Sequence, residues 1–521
     1  MSDVITGRCR GAPPIRTLAL LALAMCLAPQ ARAQSPQDEF VLLPVSRSLG
    51  EVHAGILPQT IRVNPDGWHI AYIARQNNRL VVVVSGAVSQ EYDDIGEGTL
   101  VFSPNSRSIA FAAKRDSQWR LVVNNEERSA YELIDTPVFS PDSRHLAFAA
   151  RKDGKWIIVT DAQELAQRYD GVLKGMPRFS PDSARMAYGA LLDKKWRVVV
   201  DGVGGPLCDG LMRDSITFSP DSAHVAYGSY SVNDGGRWRV VLDGQAGQLY
   251  DDILDKSLVF SPDSSQLAYT AQTGDRWHVV IKDTPGPASE RVGIVQFSPD
   301  SRHVAYASWA SNKGRVTRDG VASEPLDDLD PNSLTFSPDS ARLAWVAKVN
   351  NDVCVLLDGK PLVRCEQLQG VTFSSDSTHF ASIGRRGNSW FVFIDGQPSQ
   401  PYDEILPDSF CFSPDSKRHG FLARRGNAWM AVVDGIEGKA YEQVADLSFR
   451  DDSARFAYKA KRNGMWCIVV DTVETRLYDQ FVLGSPLRFH GIAMLHTLGL
   501  HQGEFLQIGV AIRSKEAPQP W

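Results

Sequence analysis

Helical periodicity is what this chain of 521 residues has least of. No segment carries apolar residues at the 3.6-residue spacing of an amphipathic helix, which argues against helical bundles and α/β domains. Long apolar runs are missing too. The one clear run, Leu18 to Leu27, holds about ten residues and is too short to span a bilayer. Positive charge is not in excess: 55 Lys and Arg stand against 61 Asp and Glu, and a net charge of −6 argues against a nucleic-acid partner. Cysteine is scarce, with seven residues, two of them among the first 33. Catalytic signatures are absent as well. There is no G-x-S-x-G elbow, no phosphate loop and no dinucleotide fingerprint, and His490, His496 and His501 lack zinc-type spacing. No catalytic, cofactor-binding or metal-binding residue is assigned.

What the chain has instead is a repeat. An apolar landmark returns at Val63, Phe102, Phe139, Phe179, Phe218, Phe260, Phe297, Phe336, Phe373, Phe412, Phe449 and Phe489, at intervals of 37 to 42 residues. A fixed period near 40 marks a propeller or solenoid array. Each period holds four strand-like runs. The first ends at the landmark and is followed by Ser-Pro-Asp-Ser, as at Ser180 to Ser183, a turn in which proline pre-sets φ and Asp and Ser satisfy local backbone groups. The second carries an Ala-aromatic pair such as Ala187-Tyr188. The third opens with Trp (Trp119, Trp156, Trp196, Trp238, Trp277, Trp390, Trp429, Trp466) and runs into valines. It ends at Asp-Gly, as at Asp201-Gly202, a pair suited to a tight hairpin. The fourth carries an aromatic followed by an acid, as at Tyr169-Asp170. Four antiparallel strands per period, radially arranged, make a propeller blade.

The text FSPDS, an Ala-Tyr strand and a V-V-V-D-G hairpin, repeated over residues 50 to 512, resembles the WD-like propeller repeats of the TolB family. Similar repeats occur in the propellers attached to prolyl-oligopeptidase-type enzymes. The resemblance implies an all-β propeller. One departure stands out: the family turn is usually Ser-Pro-Asp-Gly, and Ser replaces Gly here in nearly every copy. The α/β domain that precedes the TolB propeller has no counterpart before these repeats, so a TolB-like transport role is not implied.

Residues 1 to 33 read as a signal peptide. Arg8, Arg10 and Arg16 precede the apolar run, and Ala31-Arg32-Ala33 is a cleavage site, so the mature chain is expected to start at Gln34 after Ala33. Export to the periplasm or beyond follows, with no membrane-spanning segment. Five cysteines remain: Cys208, Cys354, Cys365, Cys411 and Cys467. A two-residue turn at Gly359-Lys360 would set Cys354 opposite Cys365, a candidate disulfide; the alternative is that each fills an apolar blade position.

The ends suggest how a ring closes. After Phe489 only three strand candidates remain. Gly55-Ile56-Leu57-Pro58 stands seven residues ahead of Val63, as Glu404-Ile405-Leu406-Pro407 stands ahead of Phe412. The segment 50–57 is therefore expected to supply the fourth strand of the last blade, removing exposed sheet edges. Twelve blades exceed the usual four to eight. The reading divides them into two tandem six-bladed rings, residues 50–290 and 291–512, between a lead 34–49 and a tail 513–521. The alternative is one twelve-bladed ring.

Charged repeats offer candidate sites. The acids after the fourth-strand aromatic are Asp93, Glu132, Asp170, Asp209, Asp251, Asp327, Glu366, Asp403, Glu442 and Asp479. They form either a carboxylate ring or a set of acceptors for the neighbouring blade; presence in nearly every blade favours the second. Turn aspartates such as Asp142, Asp182 and Asp221 lack calcium-type spacing and read as turn caps. His69, His145, His224, His303 and His379 share one position, with Arg185, Arg342 and Arg455 elsewhere, and read as solvated polar positions. The Trp series reads as core, while Trp309 and Tyr230 break the pattern and read as surface contacts. The function that fits is an exported, non-catalytic scaffold for a protein, peptide or cell-envelope glycan. The alternatives are a hydrolase or lyase acting on glycan or peptide in the propeller funnel, and a purely structural envelope protein. Short loops count against the enzyme.

Overall fold

The computed structural model describes residues 40–350 and 352–515, and the expected signal peptide with its Ala33–Gln34 cleavage site lies outside them. The described chain is all-β, short strands joined by turns with one helical turn at Pro58–Thr60, folded as twelve small antiparallel sheets in a ring.

Blade 4 shows the plan. Its first strand is broken into Gly171–Val172 and Arg178–Phe179, and both pieces pair with the second strand, Met186–Leu192. The third, Lys195–Val200, pairs residue for residue with the second, from Ala187 opposite Val200 to Leu192 opposite Lys195. The fourth is Val203–Gly204, prolonged by a bridge between Trp196 and Cys208. Alternation along the second and third strands puts aromatic and β-branched residues into both neighbouring seams. The apolar clusters accordingly lie between blades; one joins Ile158, Tyr188, Val199, Tyr227 and Val241 of blades 3, 4 and 5.

The turns follow the sequence. In Ser180-Pro-Asp-Ser183, the Ser180 hydroxyl donates to Asp182 Oδ1 at 2.5 Å and accepts the Arg185 N–H at 2.9 Å, and Asp182 Oδ1 also accepts the Ala184 N–H. Ser183 sits at φ +68. At the hairpin, Asp201 and Gly202 both have positive φ, and Asp201 Oδ1 caps the Met186 N–H. These two turns define one face of the ring, called here the turn face. The second-to-third hairpins, such as Asp193-Lys194, lie on the other.

The serine that replaces glycine in the turn is explained by the seams. Ser183 Oγ accepts the backbone N–H of Asp182's counterpart one blade earlier, Asp142, at 2.9 Å. The same bond recurs without a gap from Asp66 to Ser106 through Asp415 to Ser453, joining blades 1 to 11 in ten successive seams. Blade 11 meets blade 12 through Arg450 on the Ile492 carbonyl. Blade 12 meets blade 1 through Arg488 on the Pro65 carbonyl, His496 on the Asp66 carbonyl and a Trp68–His496 stack at 4.2 Å.

This circuit corrects the tandem-ring expectation in favour of its alternative. Blade 6 continues into blade 7 through Asp263 and Ser301, and blade 1 is closed by blade 12, so twelve blades form one ring. An N-terminal strand does complete the last blade, but it is Phe40–Glu51, on the outer edge of Glu504–Ser514, rather than 50–57. The match of Gly55-Ile56 to Glu404-Ile405 has a different meaning. Ile56 bridges Ala74 and Ile405 pairs Ala423, so both are first-strand positions of the blade that follows.

Candidate functional site

The repeated acids come first, because they are the most numerous charges. Each opens the first strand of a blade and accepts a backbone N–H from that blade's second-to-third hairpin: Asp193 to Asp170, Val232 to Asp209, Gly426 to Asp403, Gln502 to Asp479. The remaining six do the same. Several also take a lysine from the previous blade's third strand, as Asp170 takes Lys155 and Asp327 takes Lys313. The Lys155 bond and the Asp193 amide hold the Asp170 carboxyl below its ordinary range. These acids serve the seams. Glu290 belongs with them, accepting the Ser311 N–H at 3.0 Å. It escapes a Tyr-acid search because Ser289 stands before it, although the backbone bridge to Trp277 is unchanged.

The shared histidines have partners. His145, His224, His303 and His379 each place Nδ1 at 2.6 to 2.8 Å from the hairpin aspartate of the same blade, and Arg185 does the same with Asp201. Where Ser85 replaces that aspartate, His69 meets its hydroxyl. His145, His224 and His379 also stack on the next blade's landmark phenylalanine, and Arg185 lies over Phe218. They are half-exposed seam residues rather than merely solvated ones. Among the described residues, no group of three or more His, Cys, Asp or Glu is placed to hold a metal ion.

Several single positions move. Cys354 lies opposite Arg364, and Cys365 lies opposite Val353. The hairpin turns at Asp358-Gly359 rather than Gly359-Lys360, and a bulge at Val355–Leu356 moves the register by one residue, so the two thiols enter cores on opposite sides of blade 8, and all five described cysteines are free. Trp309 is 8% exposed, not a surface contact, and lies under the Arg291 guanidinium at 3.9 Å. It stands across from Gly314, which occupies the usual Trp position, so the ring has changed strands within one cross-strand pair. Tyr230 is half-buried against Trp238. The Trp series packs on the seam clusters with one edge left outside.

What remains open to a ligand is the row of clefts between blades on the turn face. In six seams the fourth-strand aromatic of one blade meets the second-strand aromatic of the next edge-on, with centroids 5.6 to 6.1 Å apart. Beside these pairs, cavities open between the hairpin of one blade and the middle strands of the next. Between blades 2 and 3 the cavity is about 320 Å³, around Tyr131, Phe139 and Phe148. Between blades 9 and 10 it is about 500 Å³, around Ile394, Tyr402 and Phe421. Between blades 4 and 5 it reaches about 630 Å³, with Val198, Val200, Val225 and Tyr227 as walls and Arg185, Asp201 and Asp243 at the mouth.

The seam between blades 4 and 5 lacks its ring pair. Cys208 replaces the fourth-strand tyrosine, so no ring meets Tyr227. The Tyr227 hydroxyl is buried and makes no hydrogen bond. Burial, and then the neighbouring Cys208, push its pKa up; burial raises the Cys208 thiol to about 11. Gly205 makes room for the hydroxyl, since a Cβ there would lie 3.0 Å from it. Glycine also stands beside the second-strand tyrosines of two other seams, at Gly286 and Gly438, whereas Ser89 and Ser399 face phenylalanine blades.

No family model and no curated protein matches this chain. Solved structures do, at low identity. A eukaryotic initiation factor is 13% identical over 64% of this chain and 96% of its own, with a TM-score of 0.33. TolB from Acinetobacter baumannii is 16% identical over 51% of this chain and 79% of its own, with a TM-score of 0.22. The β-propeller domain of the Trilobed protease from Pyrococcus furiosus is 12% identical over 52% and 97%, with a TM-score of 0.25. The resemblance to TolB-type and WD-type propellers holds at the level of the fold.

Proposed function

We propose that the chain is an exported, non-catalytic binding scaffold whose turn face takes a protein, peptide or cell-envelope ligand. The observation that carries this reading is the row of inter-blade clefts on that face, each with apolar walls and a polar mouth. Hairpin residues on the same face add exposed apolar surface, with Val203, Val321 and Ile436 between 63% and 74% exposed. Such residues on a rigid frame suit recognition. Export is supported by Arg8, Arg10 and Arg16, the apolar run behind them and Ala31-Arg32-Ala33.

The test is site-specific photo-crosslinking in envelope extract. A crosslinking residue at Val203 or Gln397, on the turn face, is expected to capture one discrete partner; the same residue at Lys194, on the opposite face, is expected to capture none. Capture confined to Lys194, or turnover of a glycan or peptide by the purified protein, would overturn the proposal.

A further inference from the structure

We infer that His490, Met494 and His496, at the turn-face end of blade 12, form a binding site for one soft monovalent cation, copper(I), held by two imidazole nitrogens and a thioether sulfur. This goes beyond the scaffold reading and does not depend on it. Blade 12 lacks the Ser-Pro-Asp-Ser turn, and its text from Phe489 is Phe-His-Gly-Ile-Ala-Met-Leu-His. Strand pairing sets His490 opposite Met494 and Arg488 opposite His496, so the three donors share the sheet face that looks towards blade 1. The two imidazole centroids stand 6.3 Å apart. Imidazoles joined through one ion about 2 Å from each nitrogen have centres about 5 to 6.5 Å apart. A count of His, Cys, Asp and Glu misses the group because its third donor is a methionine.

Blade 12 has exchanged large and small residues to make the room. At the place of His496 the other blades carry alanine or glycine, as Ala187 and Gly420, and the third strand opposes it with a larger residue, as Val200 and Val433. Here Gly509 stands opposite His496 and Ala511 opposite Met494. The exchange explains how a large ring fits, but not why it is an imidazole beside a second imidazole and a thioether. His496 is held as a metal-ligating histidine is held: Nε2 donates to the Asp66 carbonyl at 2.9 Å, Trp68 backs the ring at 4.2 Å, and the lone pair is left on Nδ1. Nδ1 is buried without a hydrogen bond, and the exposed His490 is the donor through which an ion enters. Burial, aided by His490 and Arg488 against the Asp66 bond, keeps the His496 pKa below its ordinary value and the ring in the neutral form that a metal takes. The donor set selects the ion. Thioether and imidazole suit copper(I) rather than calcium or magnesium. The Asp66 carboxylate caps the Trp68 N–H, and Arg488 adds positive charge beside the site, which favours a monovalent ion over a divalent one.

The probe is copper(I) held by bathocuproine disulfonate under argon, titrated with the full chain while the colour of the complex reports transfer. The expected result is one copper(I) taken per chain, with affinity about tenfold weaker in Met494→Leu and about a hundredfold weaker in His490→Ala. Both side chains reach the surface, so neither variant removes core packing. The double variant keeps all five cysteines, so copper that it still holds with wild-type affinity belongs to thiols and overturns the site. Zinc(II) bound more tightly than copper(I) also overturns it. The second readout is independent of thiols. In protein labelled with methyl-¹³C methionine, one equivalent of silver(I), a redox-stable stand-in for copper(I), should move one methyl resonance, the one missing from Met494→Leu. A Met494 methyl that stays in place sinks the proposal.

Discussion

Ser301 is the most informative single residue to change. Its hydroxyl accepts the Asp263 N–H across the junction of blades 6 and 7 at 2.9 Å, and the residue is 3% exposed. It holds φ +64, where serine is strained and glycine is not. Ser301→Ala keeps the strain and takes the partner from a half-buried donor, which costs about 1 kcal/mol. Ser301→Gly strands the same donor but relieves about 1 kcal/mol of left-handed strain. The expected order of stability is wild type, then Gly, then Ala, with about 1 kcal/mol between the two variants. Denaturant unfolding gives the order, and amide exchange at Asp263 gives the local readout, faster by about five- to tenfold in both variants. A glycine variant more stable than wild type would refute the reasoning, because strain would then outweigh the seam bond. Unchanged exchange at Asp263 would refute the single circuit, because blades 6 and 7 would not share this contact.

Three further outcomes are expected. The turn aspartates, among them Asp142, Asp182, Asp263 and Asp339, have carboxyls held down first by serine hydroxyls and then by backbone N–H groups, Asp263 to about 2. A carboxyl depressed on folding adds stability that is present above pH about 4 and is lost as pH falls towards 2; the denaturation midpoint should be flat near neutrality and drop below pH about 4, and Asp→Asn at these turns should flatten the drop. Lys459, with its side chain 4% exposed, pairs with the more accessible Asp446 at 2.6 Å and donates to the Ser485 carbonyl, so Asp446→Asn, which leaves the buried cation without a counter-charge, should cost about 3 kcal/mol and Lys459→Met about 1 kcal/mol or less in urea unfolding. Thiol titration should find five reactive cysteines in the unfolded chain from residue 34 onward and almost none in the native one, because Cys208, Cys411 and Cys467 are pushed up to about 11 or 12 by burial; a count of three would restore a disulfide.

The blade was legible because its signals are local. Pro181 with Asp182 sets one turn, Asp201-Gly202 sets the next, and period-two alternation orients the strands between them. The ring count was not, because it is decided by contacts about 40 residues apart. Asp263 and Ser301 look the same in text whether or not they touch. The closing strand was misplaced for a related reason. Phe40–Glu51 carries no landmark and is recognised by its partner Glu504–Ser514, far along the chain, while Gly55-Ile56 carries familiar text that belongs to the next blade. Cys354 and Cys365 were brought together by counting through a two-residue turn, and one bulged residue was enough to send them to opposite sides.

The departures from the repeat separate into two kinds. At blade 7 the missing tryptophan is compensated: Gly314 gives up the ring, Trp309 supplies one across the strand pair, and Arg291 covers it. A compensated change keeps the seam filled and calls for no ligand. At blade 4 the missing tyrosine is not compensated. Cys208 gives up the ring, no neighbour supplies one, and Gly205 still makes the room that a tyrosine hydroxyl needs. A buried hydroxyl without a partner costs about 1 to 3 kcal/mol, yet Tyr92 and Tyr250 carry the same cost in seams whose ring pairs are complete, so the ring tolerates it as part of its architecture. Tyr227 after Cys208 and Tyr306 after Ser289 both keep a second-strand tyrosine where the preceding ring is lost, so seam packing absorbs the change in two places.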